Sequence, residues 1–453
     1  MRGAGLAALA ALVSMAALWG FSVDDALITA RVAHHLATGV GYRVNPAGPV
    51  VDAVTPLGFA HLLAPFAAAG PHAALTAARV LGGLAWLAAA AWLGSELGRG
   101  GERRVRYLPL GLVAVSVPLG GWATAGMETG LVLALATVAL ARHPLAPFAA
   151  GLAAGWRPEL LPWAMALGIG TALARRRRPG PALLGLALAT MPALLVATIR
   201  VFAFGAAMPL AALAKPAGLD DGLRYALAGF LFSGLPLVCL APGVVRRLPA
   251  HELAIGVAAF LHFAALWLAG GDWMPSFRLL VPVLPGFVWL GAAVAERSAL
   301  WATLARFTLA LAACGLLARD LGPASRHVLA QRRELEARGA RALAGARRIA
   351  TLDAGWVGVA TGVEVVDVAG VTDPSVAVLP GGHTSKRLDD GFFARREVDA
   401  AVALWDDRLP GWYRRNDARL AELSAAEGFV RGDELPLSGS SFRYVVFRRA
   451  SAP

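Results

Sequence analysis

Apolar runs of near-membrane length alternate with short arginine-bearing loops from the N-terminus to about Arg319, and ordinary polar sequence follows. Leu6 to Val23 is the first run. It stays apolar beyond a weak Ser14-Met15-Ala16 cleavage pattern, which favours an uncleaved first helix over a signal peptide. Further runs begin near Ala73, Tyr107, Thr129, Leu145, Glu159, Pro181, Leu223, Leu253, Leu279 and Leu300. Most approach the roughly 20 residues a helix needs to cross a bilayer. The runs at Thr129 and Leu145 are short and read as a kinked or re-entrant pair. Thr55 to Gly70 is interrupted by Pro56 and Pro65, which suits an interfacial segment better than a span.

The arginines decide between the two topologies this leaves. With the N-terminus inside and Thr55 to Gly70 interfacial, the inner loops hold Arg99, Arg103, Arg104, Arg106, Arg142, Arg175 to Arg178, Arg246, Arg247 and Arg297. Counting that segment as a span turns all of them outward, against the positive-inside rule. The expectation is therefore a polytopic α-helical membrane protein of about eleven spans in the cytoplasmic (inner) membrane. A soluble extracytoplasmic α/β domain follows, so that residues 1–319 form the membrane part and 320–453 the tail. In that tail a basic amphipathic stretch, Arg326 to Arg348, precedes β-like runs at Ile349 to Leu352, Val363 to Val368, Ala400 to Leu404 and Tyr444 to Phe447. A helical pattern covers Asn416 to Ala426, and turn formers such as Gly355, Pro380-Gly381-Gly382 and Asp389-Asp390-Gly391 separate the runs.

Composition agrees. Of 453 residues, 57% are hydrophobic and 16% charged, where soluble domains sit near 25% charged. Twelve of the 30 acidic residues lie before Asp320 and 18 from there on, so a chain of soluble domains is excluded for the first part only. The formal net charge of +12 comes from arginines in short loops, which topology explains without a nucleic-acid partner. Cys239 and Cys314 both sit in apolar runs and imply no disulfide framework.

The twelve acids of the membrane part sort by side. Glu96, Glu102, Glu252 and Glu296 fall among the inner arginines; Asp24, Asp25, Asp52, Glu128, Glu159, Asp220, Asp221 and Asp272 fall at the outer face. Ionisable residues at membrane depth are costly, so their gathering on one face suggests a site there. In the first outer loop a helix opening at Asp25 would put Asp24, Ile28, Arg31 and His35 on one side. Twin carboxylates above a span suit a general base beside a lipid-borne substrate, and a capping box through Ser22 and Asp25 is the structural alternative. His34 and His35 point about 100 degrees apart on a helix and read as hydrogen-bonding rather than metal-binding residues. Three further outer clusters are Gly126-Met127-Glu128-Thr129, Trp156-Arg157-Pro158-Glu159, and Gly270-Gly271-Asp272-Trp273 leading to Arg278. Arg278 can grip a phosphate with two parallel hydrogen bonds, or snorkel at a span's end. Lys215, one of two lysines, stands in another outer loop, where an isolated lysine is often plain surface.

Together these clusters, with Asn45-Pro46, Thr55-Pro56-Leu57, the Pro209-to-Lys215 loop and the tail motifs Asp353-Ala354-Gly355 and Asp367-Val368-Ala369-Gly370-Val371-Thr372-Asp373, resemble the GT-C superfold of membrane glycosyltransferases that use polyprenyl-phosphate sugars. The nearest branch is that of the terminal β-(1→2)-arabinofuranosyltransferases. The resemblance covers nearly the whole chain. It implies a GT-C-like membrane domain with a catalytic first outer loop (22–72), a polyprenyl-phosphate sugar donor, surrounding membrane lipid, and a glycan acceptor of the cell envelope outside the membrane. Asp24 and Asp25 match the catalytic aspartate position, and Arg278 the arginine of the Gly-Gly-Asp-Trp motif, with Arg157 and Lys215 as further phosphate contacts. Arg31, His35, Glu128, Glu159, Asp272 and Trp273 are the expected substrate contacts. The resemblance fixes no cofactor and leaves the metal requirement open: the second aspartate could hold the sugar or a divalent cation. Two rival functions remain: a non-catalytic envelope or motility assembly factor that kept this fold, and, last, a transporter, which would favour mid-membrane sites and internal repeats.

Overall fold

Helices form along the apolar runs, and some end at a proline or glycine while others, such as Pro179–Phe204 with Pro192 inside it, run through one. The computed structural model describes residues 2–99, 104–176, 179–216 and 218–449; Glu102, Arg103, Arg177 and Arg178 of the charge sorting lie outside the described residues. Among the described residues five helices are long and apolar enough to cross a membrane: Pro71–Arg99, Gly180–Phe204, Ala250–Leu268, Arg278–Arg297 and the helix that starts at Leu300. A sixth span results if Arg104–Val115 and Val117–Ala123, bent by 59°, count as one. Among the described residues, five or six of the expected eleven spans are found. Arg2–Ala17, Thr129–Val138, Ala146–Trp156, Leu161–Arg176 and Leu219–Phe232 stand where spans were expected, with 16, 10, 11, 16 and 14 residues. Among the described residues all five fall short of the roughly 20 needed. Hydropathy runs through a glycine or proline that ends a helix, so an apolar run overstates the helix it contains. Thr55 to Gly70 holds only the short helix Phe59–Leu63 and one 3-10 turn, Ala64–Phe66.

The chain divides into two compact units. One comprises Met1–Ser22, Ala78–Ile199 and Ala217–His327; the other comprises Val23–Ala77, Arg200–Pro216 and Val328–Pro453. The first outer loop and the loop before Lys215 thus belong to the same unit as the tail.

The first unit is a helical bundle packed through small residues. A methyl group added at Gly94 would meet the Gly3 carbonyl oxygen at 2.2 Å, and one at Gly185 the Gly168 oxygen at 2.3 Å. Backbones approach that closely only where no side chain intervenes, the usual device of helices packed in lipid. The span Arg278–Arg297 is almost wholly buried inside the bundle. Its ends, and those of Ala250–Leu268, carry charge: Asp272 and Arg278 at one end, Glu252, Glu296 and Arg297 at the other. Twenty residues span roughly 30 Å at 1.5 Å each, so the two charged ends stand a bilayer core apart.

The second unit is α/β. A six-stranded mixed sheet is built from β1 (Arg348–Thr351), β2 (Glu364–Asp367), β3 (Ala400–Asp406), β4 (Gly411–Trp412), β5 (Phe429–Pro436) and β6 (Phe442–Arg449). The order is β2-β1-β3-β6-β5, with β4 pairing β3. β1 is parallel to β2 and β3, while β6 is antiparallel to β3 and β5. Helices Val328–Ala342, Ala354–Thr361 and Arg415–Ala426 pack with the sheet. Its core includes Val366, Val368, Phe393, Val445 and Leu420, and it takes in Leu210 and Ala214 from the short helix Leu210–Ala214.

Candidate functional site

The site residues expected from sequence fall into both units. Glu128, Arg157, Glu159, Asp272, Trp273 and Arg278 belong to the helical bundle; Asp24, Asp25, Arg31, His35 and Lys215 belong to the α/β unit.

In the bundle, motifs as far as 151 positions apart converge. Arg157 caps the C-terminus of Ala146–Trp156, and the following Pro158 starts a 3-10 turn that carries Glu159 beside it. The Arg157 Nε atom lies 3.2 Å from Glu128 and 3.4 Å from Glu159. Arg278 pairs with Asp272 at 2.8 Å, places Nη1 3.7 Å from the Met127 sulfur, and sits 5.8 Å from the centre of the Trp122 ring. The loop that delivers Arg278 is held in an unusual backbone. Gly270 and Gly271 are left-handed, and so are the non-glycine residues Ser276 and Phe277, at φ 59° and 54°. Such conformations persist only where the surroundings impose them, and they cluster at functional sites. Tyr225 supplies part of that constraint: its hydroxyl accepts from the Leu279 amide at 3.0 Å, and its ring packs on Phe277. On the other side of Leu279, the His262 Nε2 atom lies 2.8 Å from the carbonyl oxygen. Neither Tyr225 nor His262 was singled out from sequence, although a histidine inside an apolar run is a signal.

The charges of this cluster nearly cancel: Glu128, Glu159 and Asp272 face Arg157 and Arg278. Its hydrogen-bonding capacity is not used up. Arg157 Nη2, Thr129 Oγ1 and Ser276 Oγ are buried with no hydrogen-bond partner among the described residues. All three groups can donate to an oxygen. Trp273, in the same loop, is half exposed.

In the α/β unit the twin aspartates have different environments. The helix Asp24–Ala37 starts at Asp24 without a side-chain cap, and the Ser22 hydroxyl donates to the Ala125 carbonyl at 3.0 Å. The capping box through Ser22 and Asp25 therefore does not form. Asp24 instead faces a second helix. Its Oδ2 accepts from the Gly355 amide at 2.7 Å, and its Oδ1 accepts from the Trp356 amide and from Arg332 Nη1, both at 2.9 Å. A carboxylate at the first-turn amides of Ala354–Thr361 satisfies donors that have no partner within the helix. Gly355 makes this approach feasible, since a methyl group there would lie 2.2 Å from the Asp24 backbone oxygen. Burial pushes the Asp24 carboxyl up to about 7; Arg332 and the two amides pull it down, and Asp353 adds to the rise. Asp25 is half-buried, and its carboxylate has no hydrogen-bonding or ionic partner among the described residues.

Asp24 belongs to a buried polar network that was not apparent in the sequence. Arg414 grips Asp353 with two bonds, at 3.1 and 2.8 Å, and also holds Asp417; the Tyr444 hydroxyl donates to Asp353 at 3.0 Å. Burial raises the Asp353 carboxyl, but Arg414, Arg332 and Tyr444 together outweigh it and hold it below the usual range. Arg332 sits in the amphipathic stretch that looked merely basic, and nothing local marks it as the partner of Asp24.

Arg31 is buried. Its Nη2 donates to the Val363 carbonyl at 2.6 Å, its guanidinium packs against Gly358, and burial lowers its pKa to about 10 against the pull of Glu364. His35 shares a hydrogen bond with the Arg43 carbonyl at 2.9 Å, and His34 with that of Ala67 at 2.8 Å; both have the hydrogen-bonding role expected of them. Burial lowers the His35 pKa. Lys215 follows the short helix whose Leu210 and Ala214 enter the core. Among the described residues no group of three or more His, Cys, Asp or Glu is arranged to hold a metal ion. Comparison with family models, with curated proteins and with solved structures returns no match.

Proposed function

We propose that this chain is an inverting glycosyltransferase of the GT-C kind, moving a sugar from a polyprenyl-phosphate donor to a cell-envelope glycan at the outer face of the cytoplasmic membrane. The observation that carries this reading is the set of buried, unsatisfied donors in the helical bundle: Arg157 Nη2, Thr129 Oγ1 and Ser276 Oγ. Unpaired buried donors are costly unless a ligand or water meets them, and a phosphate offers oxygens to all three. In the proposed reaction the acceptor hydroxyl oxygen attacks the anomeric carbon. Its proton passes to the carboxylate of Asp25, and the bond from the sugar to the phosphate oxygen breaks. The polyprenyl phosphate leaves with the electron pair. Asp25 takes the base role because its carboxylate is uncommitted, while Asp24 is engaged by three donors. Lys215 remains a phosphate contact in this proposal, and Glu128, Glu159, Asp272 and Trp273 are contacts to the sugar.

One observation favours the alternative of a non-catalytic assembly factor for envelope or motility machinery: Arg157 and Arg278 already face carboxylates. Transfer assays in membranes supplied with polyprenyl-phosphate sugars separate the two. The enzyme reading requires label to move to an external glycan and to stop moving in Asp25→Asn. Absence of transfer from every donor offered, with the folded protein present, selects the assembly factor.

A further inference from the structure

The helical bundle has a second polar centre at the helix ends remote from Arg278. A cavity of about 330 Å³ is lined by three glutamates (Glu96, Glu252, Glu296) and four arginines (Arg99, Arg106, Arg142, Arg297). Arg106 pairs with Glu296 at 2.9 Å, Arg142 with Glu252 at 2.7 Å, and Arg99 with Glu96. Trp289 adds an indole N–H, 3.4 Å from the Glu252 oxygen that Arg142 contacts. Pairing leaves one group of each sign incomplete. Arg106 Nε and Glu252 Oε2 are buried with no hydrogen-bond partner among the described residues, although both side chains are over nine-tenths buried. One is a cationic donor and the other an anionic acceptor.

Two further cavities share Arg142 with the first. One, of about 440 Å³, runs between Val138, Leu145 and Trp92; the other, of about 520 Å³, runs along Leu184 and Leu188. Leu145 and Leu184 are each 60% exposed. Leu184 and Leu188 lie on Gly180–Phe204, the least enclosed of the span-length helices, with 17% of its apolar window buried. Apolar grooves that open on an exposed span face and meet at an arginine fit acyl chains attached to a charged head. The first cavity holds a headgroup, being at the small end of ligand pockets.

We propose that this end of the bundle is a binding site for a zwitterionic aminophospholipid of the phosphatidylethanolamine type, with its phosphate at Arg106 and Arg142 and its ammonium at Glu252. The mixed lining selects the zwitterion. An anionic headgroup without an amine would satisfy Arg106 but bring no cation to the buried Glu252 carboxylate, which is unfavourable. The site is separate from the proposed transfer chemistry and does not depend on it.

The test is lipid retention by the full-length protein in mild detergent, after exchange with equal amounts of phosphatidylethanolamine and phosphatidylglycerol and read by native mass spectrometry. The wild type is expected to retain the ethanolamine lipid over the glycerol lipid by about tenfold or more, a difference of ~1.4 kcal/mol. Arg142→Gln should lose both lipids, with the melting temperature of the same preparation as the folding control, since Arg142 pairs the buried Glu252. Glu252→Gln keeps an acceptor for Arg142 and Trp289 and should bring the two lipids to near-equal retention. Equal retention by the wild type overturns the assignment, as does unchanged preference in Glu252→Gln. Displacement of the lipid by inorganic phosphate alone overturns it too, since that would mark a free-phosphate site.

Discussion

Replacing Asp24 and Asp25 one at a time by asparagine separates a structural carboxylate from a catalytic one. Asp24 receives two backbone amides and one arginine, at 2.7 to 2.9 Å. Asparagine keeps one acceptor oxygen and presents an NH2 group where the second accepted, so a donor faces a donor. Leaving one buried donor unsatisfied costs about 1–3 kcal/mol. The lost charge adds little near neutral pH, because burial already holds the carboxyl at about 7. Asp24→Asn should therefore lower the unfolding temperature, and activity should fall only as far as folding does. Asp25 offers no such bonds to break, so its asparagine variant should stay within about 0.5 kcal/mol of the parent. Loss of a general base removes roughly 10²- to 10⁴-fold of rate, or ~3–5 kcal/mol in the barrier. The assay is sugar transfer from polyprenyl-phosphate donors in membranes, with a thermal-shift measurement on the same preparations. Full transfer by Asp25→Asn refutes the base assignment. Transfer lost in Asp24→Asn with an unchanged melting temperature would move that role to Asp24.

Arg278→Lys keeps a charge beside Asp272 but loses the planar fork and the approach to Trp122. It should raise the donor KM by about tenfold with little change in melting temperature, and an unchanged KM counts against a phosphate contact there. Gly355→Ala places a methyl group 2.2 Å from the Asp24 backbone oxygen. That clash should cost about 1–3 kcal/mol, and an unaltered unfolding midpoint would show that the two helices do not meet so closely. Burial raises Asp24 to about 7 and Asp367 to about 6, above the ordinary 3.8. The folded state then binds these protons more tightly than the unfolded state, so the stability they contribute is full below about 3.8 and lost as pH rises through 6 to 7. The melting-temperature gap between wild type and Asp24→Asn should be widest below about pH 3.8 and narrow towards pH 7.5; a gap that grows with pH contradicts this.

Local pattern alone determined the membrane character, the change at the tail, and four of the six strands, because each depends on the hydrophobicity and spacing of neighbouring residues. Of the acids it sorted by side, Asp272 stands at one end of the buried span and Glu252 and Glu296 at the other, since a charge at a span's end is recorded by the apolar run next to it. Strand β5 was missed because only Phe429 and Leu435 of its eight residues are buried, so it lacks the alternation that reveals a strand. Span lengths were overestimated because hydropathy does not register where a backbone breaks. The rest depended on contacts between distant residues. Asp24 meets Trp356 across 332 positions, and Asn45 hydrogen-bonds both backbone groups of Val365 across 320. No spacing rule reaches so far. Adjacent aspartates look alike in one dimension; only the folded chain gives Asp24 a helix terminus to cap and leaves Asp25 without a partner.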